Sequence, residues 1–140
     1  PTPYLICPIL DAKKGEVYTA FYRYEETNSP KRQSAYHAIR PEDLINSIEE
    51  RTIFVGDGVK AYGDYLRNSL PSLTIFLPTP LNYPHGSTIA KLGLNLLRKG
   101  DCLDLATFTP LYIRASEAEI KFQSPKVEKN PPDRTGIDFK

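Results

Sequence analysis

The alternation of apolar and polar positions over the first forty residues predicts three strands. Tyr4 to Leu10 is mostly apolar, and Glu16 to Tyr24 alternates between two faces that both carry apolar side chains. The intervening Asp11 to Gly15 has the composition of a tight turn with Gly15 at positive φ, so the two runs predict a hairpin. A polar loop over Glu25 to Lys31 precedes a third predicted strand, Gln33 to Ile39.

Helical spacing of apolar residues begins after residue 40 and alternates with two short apolar runs. Three helices are predicted, the first beginning at Pro41 and the third capped by Ser87 or Thr88. Two further strands, Thr52 to Val55 and Leu73 to Leu77, separate these helices. The helical stripes that we expect to be buried are, in chain order, Leu44, Ile45 and Ile48; Val59, Tyr62, Leu66 and Leu70; and Ile89, Leu92, Leu96 and Leu97.

The predicted order of elements is βββαβαβα. Hairpin connections followed by crossovers favour an α/β fold, with a mixed five-stranded sheet and helices on both faces. This element order resembles that of the ribonuclease-H-like fold, and we expect such a lobe to span residues 1–114. Residues 115–140 combine three prolines with cancelling charges, so we expect them to form an extended Pro-rich tail.

Composition narrows the range of functions. The 140 residues include 18 basic and 17 acidic side chains, so the chain lacks the charge excess of a dedicated nucleic-acid binder. No apolar run approaches the roughly 20 residues of a membrane helix, so we expect no membrane association. Cys7 and Cys102 do not have the spacing of a zinc site or a disulfide scaffold. We expect both to be buried, reduced thiols of a cytoplasmic protein.

Asp11 and Asp57 follow the first and fourth predicted strands, where ribonuclease-H-like nucleases hold carboxylates for two metal ions. The third predicted helix carries no acid, however, so the set of metal ligands is incomplete. His37 and His85 have no second ligand at helical spacing, and the sequence contains no GxSxG, Cys/His nucleophile or Walker motif. From these residues we expect no catalytic, metal-binding or cofactor-binding site in the lobe.

Three segments together resemble the landmarks of one known family. Ile9 to Tyr18 is similar to the "DARRGEVY" hairpin of the TsaB (YeaZ) family, also described as Gcp-like or peptidase M22 glycoprotease-type proteins. Val55 to Val59 with Tyr62 resembles its second landmark, and Pro110 to Arg114 its closing "PxYLR" segment. The motif positions, which we expect to have structural roles, are Asp11, Ala12, Gly15, Glu16, Tyr18, Gly56, Asp57, Gly58, Pro110, Tyr112 and Arg114.

The resemblance implies an actin-like ATPase (ASKHA) architecture of two ribonuclease-H-like lobes. It also implies a role in forming N6-threonylcarbamoyladenosine at position 37 of tRNAs that read ANN codons. In this family the protein is a non-catalytic partner of TsaD and TsaE, often a homodimer, and reaches tRNA only indirectly. The family's first lobe, with its "GPGSFTGLR" stretch, is absent, so the chain resembles the second, C-terminal lobe alone. Two alternatives stay open: an M22 glycoprotease-type peptidase, and a metal-dependent nuclease using Asp11 and Asp57.

Overall fold

A computed structural model of the protein describes residues 1–25 and 29–114, so the predicted tail at 115–140 lies outside the described residues. The helices are α1 (Pro41–Asn46), α2 (Gly58–Ser69) and α3 (Gly86–Arg98), with a short 3₁₀ helix at Thr79–Asn82. The strands are β1 (Leu5–Lys13), β2 (Glu16–Thr19), β3 (Tyr22–Tyr24), β4 (Pro30–Arg32), β5 (His37–Ile39), β6 (Thr52–Val55) and β7 (Thr74–Phe76).

These strands form one mixed sheet with β1 at its centre. β1 pairs antiparallel with β2 and β3, and parallel with β6. β6 in turn pairs parallel with β7, and α2 makes the crossover between these two strands. On the other side, β5 extends the sheet beyond β2, and β4 extends it beyond β3. The predicted mixed sheet is therefore confirmed.

The predicted count of five strands is wrong for the described residues, because the hairpin region is interrupted. The predicted strand Glu16 to Tyr24 is broken into β2 and β3, although its register with β1 is unchanged across the break. At the break, the Phe21 N–H donates to Ser34 Oγ at 2.9 Å. A side-chain hydroxyl therefore takes the place of the backbone carbonyl that would accept this hydrogen bond in a continuous strand. β4 occupies the end of the predicted polar loop, and the third predicted strand is reduced to His37–Ile39.

One face of the sheet packs against α1 and α2 and forms the core. Alternate residues of the strands point into this core, as expected for a sheet covered on that face. The buried cluster consists of Cys7, Ile9, Val17, Leu44, Ile48, Phe54 and Leu66, with Ile45, Val59, Tyr62 and Leu70 packed around it. The apolar stripes predicted for the first two helices are thus confirmed.

The stripe predicted to be buried on α3 is exposed, and that prediction is wrong. Ile89, Leu92, Leu96 and Leu97 are between 47% and 62% exposed. Their periodicity establishes an apolar helix face but does not supply a neighbour to cover it. On the sheet face opposite α2, the first turns of α3 and the strands line opposite parts of one groove of about 400 Å³. The helix also begins earlier than predicted: His85 precedes its first turn and makes no side-chain capping hydrogen bond.

The two cysteines differ in exposure. Cys7 is buried with its Sγ 3.1 Å from Thr19 Oγ1, and burial raises the pKa of its thiol to about 12. Cys102 is exposed beyond α3, so the prediction that both thiols are buried is wrong for this one. Among the described residues, no helix has the length and apolar character needed to cross a membrane.

Candidate functional site

The first two landmarks meet where β1 and β6 end. Because these strands run parallel, Asp11 near the end of β1 and Asp57 just after β6 lie at the same edge of the sheet. The Asp11 N–H donates to Asp57 Oδ1 at 3.1 Å. The Asp57 carboxylate makes no capping bond to its own helix. It therefore connects the turn before α2 to the central strand.

The turn around Asp57 lies directly on the backbone of β1. Gly56 has a φ of 118°, and a Cβ at this position would overlap the carbonyl oxygen of Ile9. A Cβ at Gly58 would lie 2.9 Å from the same oxygen. Both glycines are therefore required by close approach, and Gly56 also by its backbone conformation.

The hairpin turn between β1 and β2 is organised by the Asp11 carboxylate. It accepts hydrogen bonds from Lys13 N–H at 2.9 Å and from Lys13 Nζ at 2.6 Å. The hydrogen bond from the Lys13 side chain lowers the pKa of Asp11 below its usual value, and the hydrogen bond from the Lys13 N–H adds a smaller effect in the same direction. Lys13, Lys14 and Gly15 have φ values of 62°, 56° and 77°, so the prediction of positive φ at Gly15 is confirmed.

The third landmark reaches the hairpin through an ion pair. Arg114 Nη1 donates to Glu16 Oε2 at 2.8 Å, and the two side chains are 32% and 28% exposed. Ile113 and Tyr18 of β2 line the same groove of about 150 Å³. The structure thus brings Asp11, Glu16, Asp57 and Arg114 into two linked contacts. Sequence spacing does not predict the Arg114 contact, because its partner is 98 positions away.

The remaining motif positions differ in their surroundings. Ala12 is buried at the irregular end of β1, where the β1–β2 register shifts. Pro110 and Tyr112 are exposed, Tyr112 by 74%. Sequence analysis missed Asn82, whose Oδ1 accepts the Gly56 N–H at 3.3 Å. Asn82 ends the short 3₁₀ helix, and a single polar residue there belongs to no periodic pattern, so no sequence signal could have identified it.

The geometry does not favour the nuclease alternative. Asp11 uses its carboxylate on Lys13, and Asp57 uses one carboxylate oxygen on a backbone N–H. Within residues 1–25 and 29–114, no group of three or more His, Cys, Asp or Glu side chains could hold a metal ion. His37 lies on β5 and His85 precedes α3, so the two histidines belong to separate elements.

Known proteins share sequence or fold with most of this chain. No family model matches the chain. The chain is 23% identical over 120 residues to the tRNA threonylcarbamoyladenosine biosynthesis protein TsaB of Bacillus subtilis, a match that covers 84% of this chain and 51% of the relative. The chain is thus similar in sequence to one TsaB protein and in fold to structures named for YeaZ.

Two solved structures from Pseudomonas aeruginosa share the fold of this chain. One is YeaZ, with a TM-score of 0.58 and 18% identity over 79% of this chain and 50% of that one. The other is an uncharacterized protein with similarity to peptidase YEAZ, with a TM-score of 0.59 and 17% identity over 80% and 50%. The chain spans about half the length of each of these relatives.

Proposed function

We propose that this chain acts in the biosynthesis of N6-threonylcarbamoyladenosine at position 37 of ANN-decoding tRNAs, as a non-catalytic partner subunit that supports TsaD. The observation that carries the proposal is the joining of three family landmarks by two contacts, Asp11 with Asp57 and Glu16 with Arg114. The Bacillus subtilis relative is named for the biosynthesis of this modification. The chain spans 51% of that relative, so the relative's activity is assigned to this chain only as part of the proposal.

In this proposal the chain is a C-terminal, ribonuclease-H-like lobe of an actin-like ATPase (ASKHA) architecture, without a cofactor of its own. A mixed sheet with a central β1 and a parallel β1–β6–β7 group supports this assignment. The landmark residues hold β1, the turn before α2 and the closing segment in one unit. Such a unit suits a partner subunit, because the acidic side chains at the landmarks are engaged in structural contacts.

The proposed partners are TsaD and TsaE in the cytoplasm, with a homodimer as a further form of association. tRNA is reached through these partners rather than directly. A formal net charge of +1 supports this division, because a chain that bound tRNA by itself would need an excess of basic groups. No observation favours the peptidase as a second candidate function.

The test is a chimera in which this chain replaces the matching part of Bacillus subtilis TsaB. In cells depleted of TsaB, mass spectrometry of hydrolysed tRNA would measure the modified nucleoside, and affinity purification would measure association with TsaD. We expect the chimera to restore the nucleoside and to retain TsaD.

Two variants of the chimera serve as matched controls. Gly56→Val places a side chain against the Ile9 carbonyl and should remove both effects, whereas Gly86→Ala has open space around it and should preserve them. A folded chimera that binds neither TsaD nor TsaE and restores no modification would refute the proposed function.

A further inference from the structure

A groove of about 150 Å³ on the sheet face opposite α2 is lined by aromatic side chains, and we name it the tyrosine groove. Tyr18 of β2, Tyr22 of β3 and Tyr36, which precedes β5, line it together with Pro8 and Leu10 of β1. Its surface is almost entirely apolar. Tyr36 is 43% exposed, so one aromatic wall of the tyrosine groove is accessible from solvent.

Two contacts hold the Tyr36 ring in position. The guanidinium carbon of Arg32 lies 4.1 Å from the centroid of the ring, and the side chains of Tyr36 and Tyr22 share a hydrogen bond. Within residues 1–25 and 29–114, Arg32 forms no ion pair. The tyrosine groove therefore combines an ordered aromatic wall with a positive charge that no described carboxylate neutralises.

An aromatic groove of this kind is typical of surfaces that bind polyproline II segments. Such a segment makes no internal hydrogen bonds, so its carbonyl groups are free to accept them from a binding surface. Tyrosine suits this ligand because its ring packs against the proline rings and its hydroxyl group can donate to a carbonyl. The lining of the tyrosine groove thus indicates a proline-rich ligand.

The chain itself carries a proline-rich segment that begins close to this groove. Ile113 lines the tyrosine groove and Arg114 is held by Glu16, so the described part of the chain ends beside the groove. Residues 115–140 lie outside the described part, and their sequence includes Pro131-Pro132 followed by Asp133. A flexible linker of the length of residues 115–130 has a mean end-to-end distance of about 20–24 Å. Because a linker this short gives an effective concentration of about 1 mM, even a weak groove is occupied.

We propose that the tyrosine groove binds the Pro131-Pro132 segment of the same chain, with Asp133 beside Arg32. The two prolines supply the kind of ligand that an aromatic groove accepts, and the acidic residue after them supplies a partner for the guanidinium group. This docking involves one chain alone, so it is independent of the function proposed above.

Paramagnetic relaxation in the ¹⁵N-labelled 140-residue chain tests where the segment lies. A nitroxide is attached at Thr135→Cys in a Cys102→Ser background, in which Cys7 is protected by burial. We expect strong line broadening at the amides of Tyr18, Tyr22 and Tyr36, and little at Leu66 on the opposite face. Broadening at Leu66 that equals the broadening in the groove, or none in the groove, overturns the inference.

A mixed sample separates docking within one chain from docking between copies. It combines ¹⁵N-labelled chains that carry no nitroxide with unlabelled chains that carry one. We expect no broadening in the tyrosine groove of the ¹⁵N-labelled chains. Broadening as strong as in the first sample would assign the groove to the segment of a second copy and would overturn the proposal.

Substitutions in the groove and in the segment test the contact from both sides. Tyr36→Ala removes an aromatic wall and should weaken docking about tenfold. Tyr65→Ala is the matched control, because Tyr65 is also 43% exposed but lies on α2, and it should leave the broadening unchanged. Joint replacement of Pro131 and Pro132 by alanine should abolish the broadening, whereas Pro125→Ala should not. Circular dichroism checks folding, and a folded Tyr36→Ala chain with wild-type broadening refutes the role of the groove.

A charge exchange tests the position of Asp133. Asp133→Arg places two cations together and should weaken docking about two- to fivefold, as expected for an exposed ion pair. Adding Arg32→Glu to this variant should recover the broadening, because the pair is re-formed with its charges exchanged. Asp138→Arg makes the same change of charge farther along the chain and should have no effect. A double variant that recovers nothing contradicts the placement of Asp133 beside Arg32.

Discussion

Replacement of Gly56 by alanine tests whether the landmark turn depends on close approach to the central strand. Gly56 adopts a φ of 118°, which side-chain-bearing residues rarely adopt. Its Cβ would overlap the Ile9 carbonyl oxygen, which belongs to the backbone of β1 and cannot rotate away. We therefore expect that Gly56→Ala either moves β1 relative to α2 or leaves the turn in place under strain.

The magnitude follows from two costs and one gain. A residue held in a sparsely populated backbone region costs about 1–3 kcal/mol, and the steric overlap adds about 1–3 kcal/mol. Alanine restricts the unfolded chain more than glycine does, which returns about 0.4–1 kcal/mol. The expected net loss is about 1–5.6 kcal/mol in the free energy of unfolding, a large share of the roughly 5–15 kcal/mol typical of a domain.

The assay is urea unfolding followed by far-UV circular dichroism, at one protein concentration because association shifts apparent stability. Gly15→Ala is the matched control: its φ is 77°, but nothing lies within 4 Å of its Cβ position. It should therefore lose about 1–2 kcal/mol from backbone strain alone. If Gly56→Ala costs no more than Gly15→Ala, steric contact with β1 is not what requires glycine in this turn.

Four further predictions concern the landmark contacts and the thiols. Arg114→Ala should lower the free energy of unfolding by about 0.5–1 kcal/mol, because its ion pair with Glu16 is about one-third exposed. A double-mutant cycle of these two residues should show a coupling energy that decreases in high salt. Asp57→Ala should cost about 1 kcal/mol more than Asp57→Asn in urea unfolding, because the amide oxygen can still accept the backbone N–H. The folded state holds the Cys7 proton up to about pH 12, whereas the unfolded chain releases it near about pH 8.5. Stability should therefore fall as pH rises through this window, by up to about 1.4 kcal/mol per pH unit relative to Cys7→Ala. In the native state Cys102 should react with a thiol reagent and Cys7 should not, so equal reactivity would contradict the burial of Cys7.

Local periodicity was sufficient to predict the elements that pack on the core. Thr52–Val55 and the stripes of α1 and α2 were predicted correctly, because each buries one face against the same cluster. The break between β2 and β3 was not predictable, since it depends on a hydroxyl of Ser34 that bonds a backbone N–H thirteen positions away. The alternation of apolar and polar residues along a strand does not reveal where a side-chain hydroxyl takes the place of a backbone hydrogen-bond partner.

The candidate site shows the same division between local and distant information. Turn chemistry predicted the conformation of Gly15 because the cause lies within the turn. By contrast, the positions of Asp11 and Asp57 at strand ends are typical of metal ligands, whereas both carboxylates accept hydrogen bonds from backbone N–H groups in this fold. A carboxylate has the same sequence signature in either role, and only the location of its partner distinguishes them.

The two faces of the sheet differ in what they contribute. On the face covered by α1 and α2, Phe54 and Leu66 are almost fully buried, so this side supplies the cohesion of the lobe. On the opposite face, Leu10 and the apolar residues of α3 keep about half of their surface exposed, so they contribute much less to the core. Substitutions on the first face should therefore lower the free energy of unfolding more than substitutions of the same kind on the second. The apolar periodicity of α3 is thus compatible with a stable lobe whose core does not depend on that helix face.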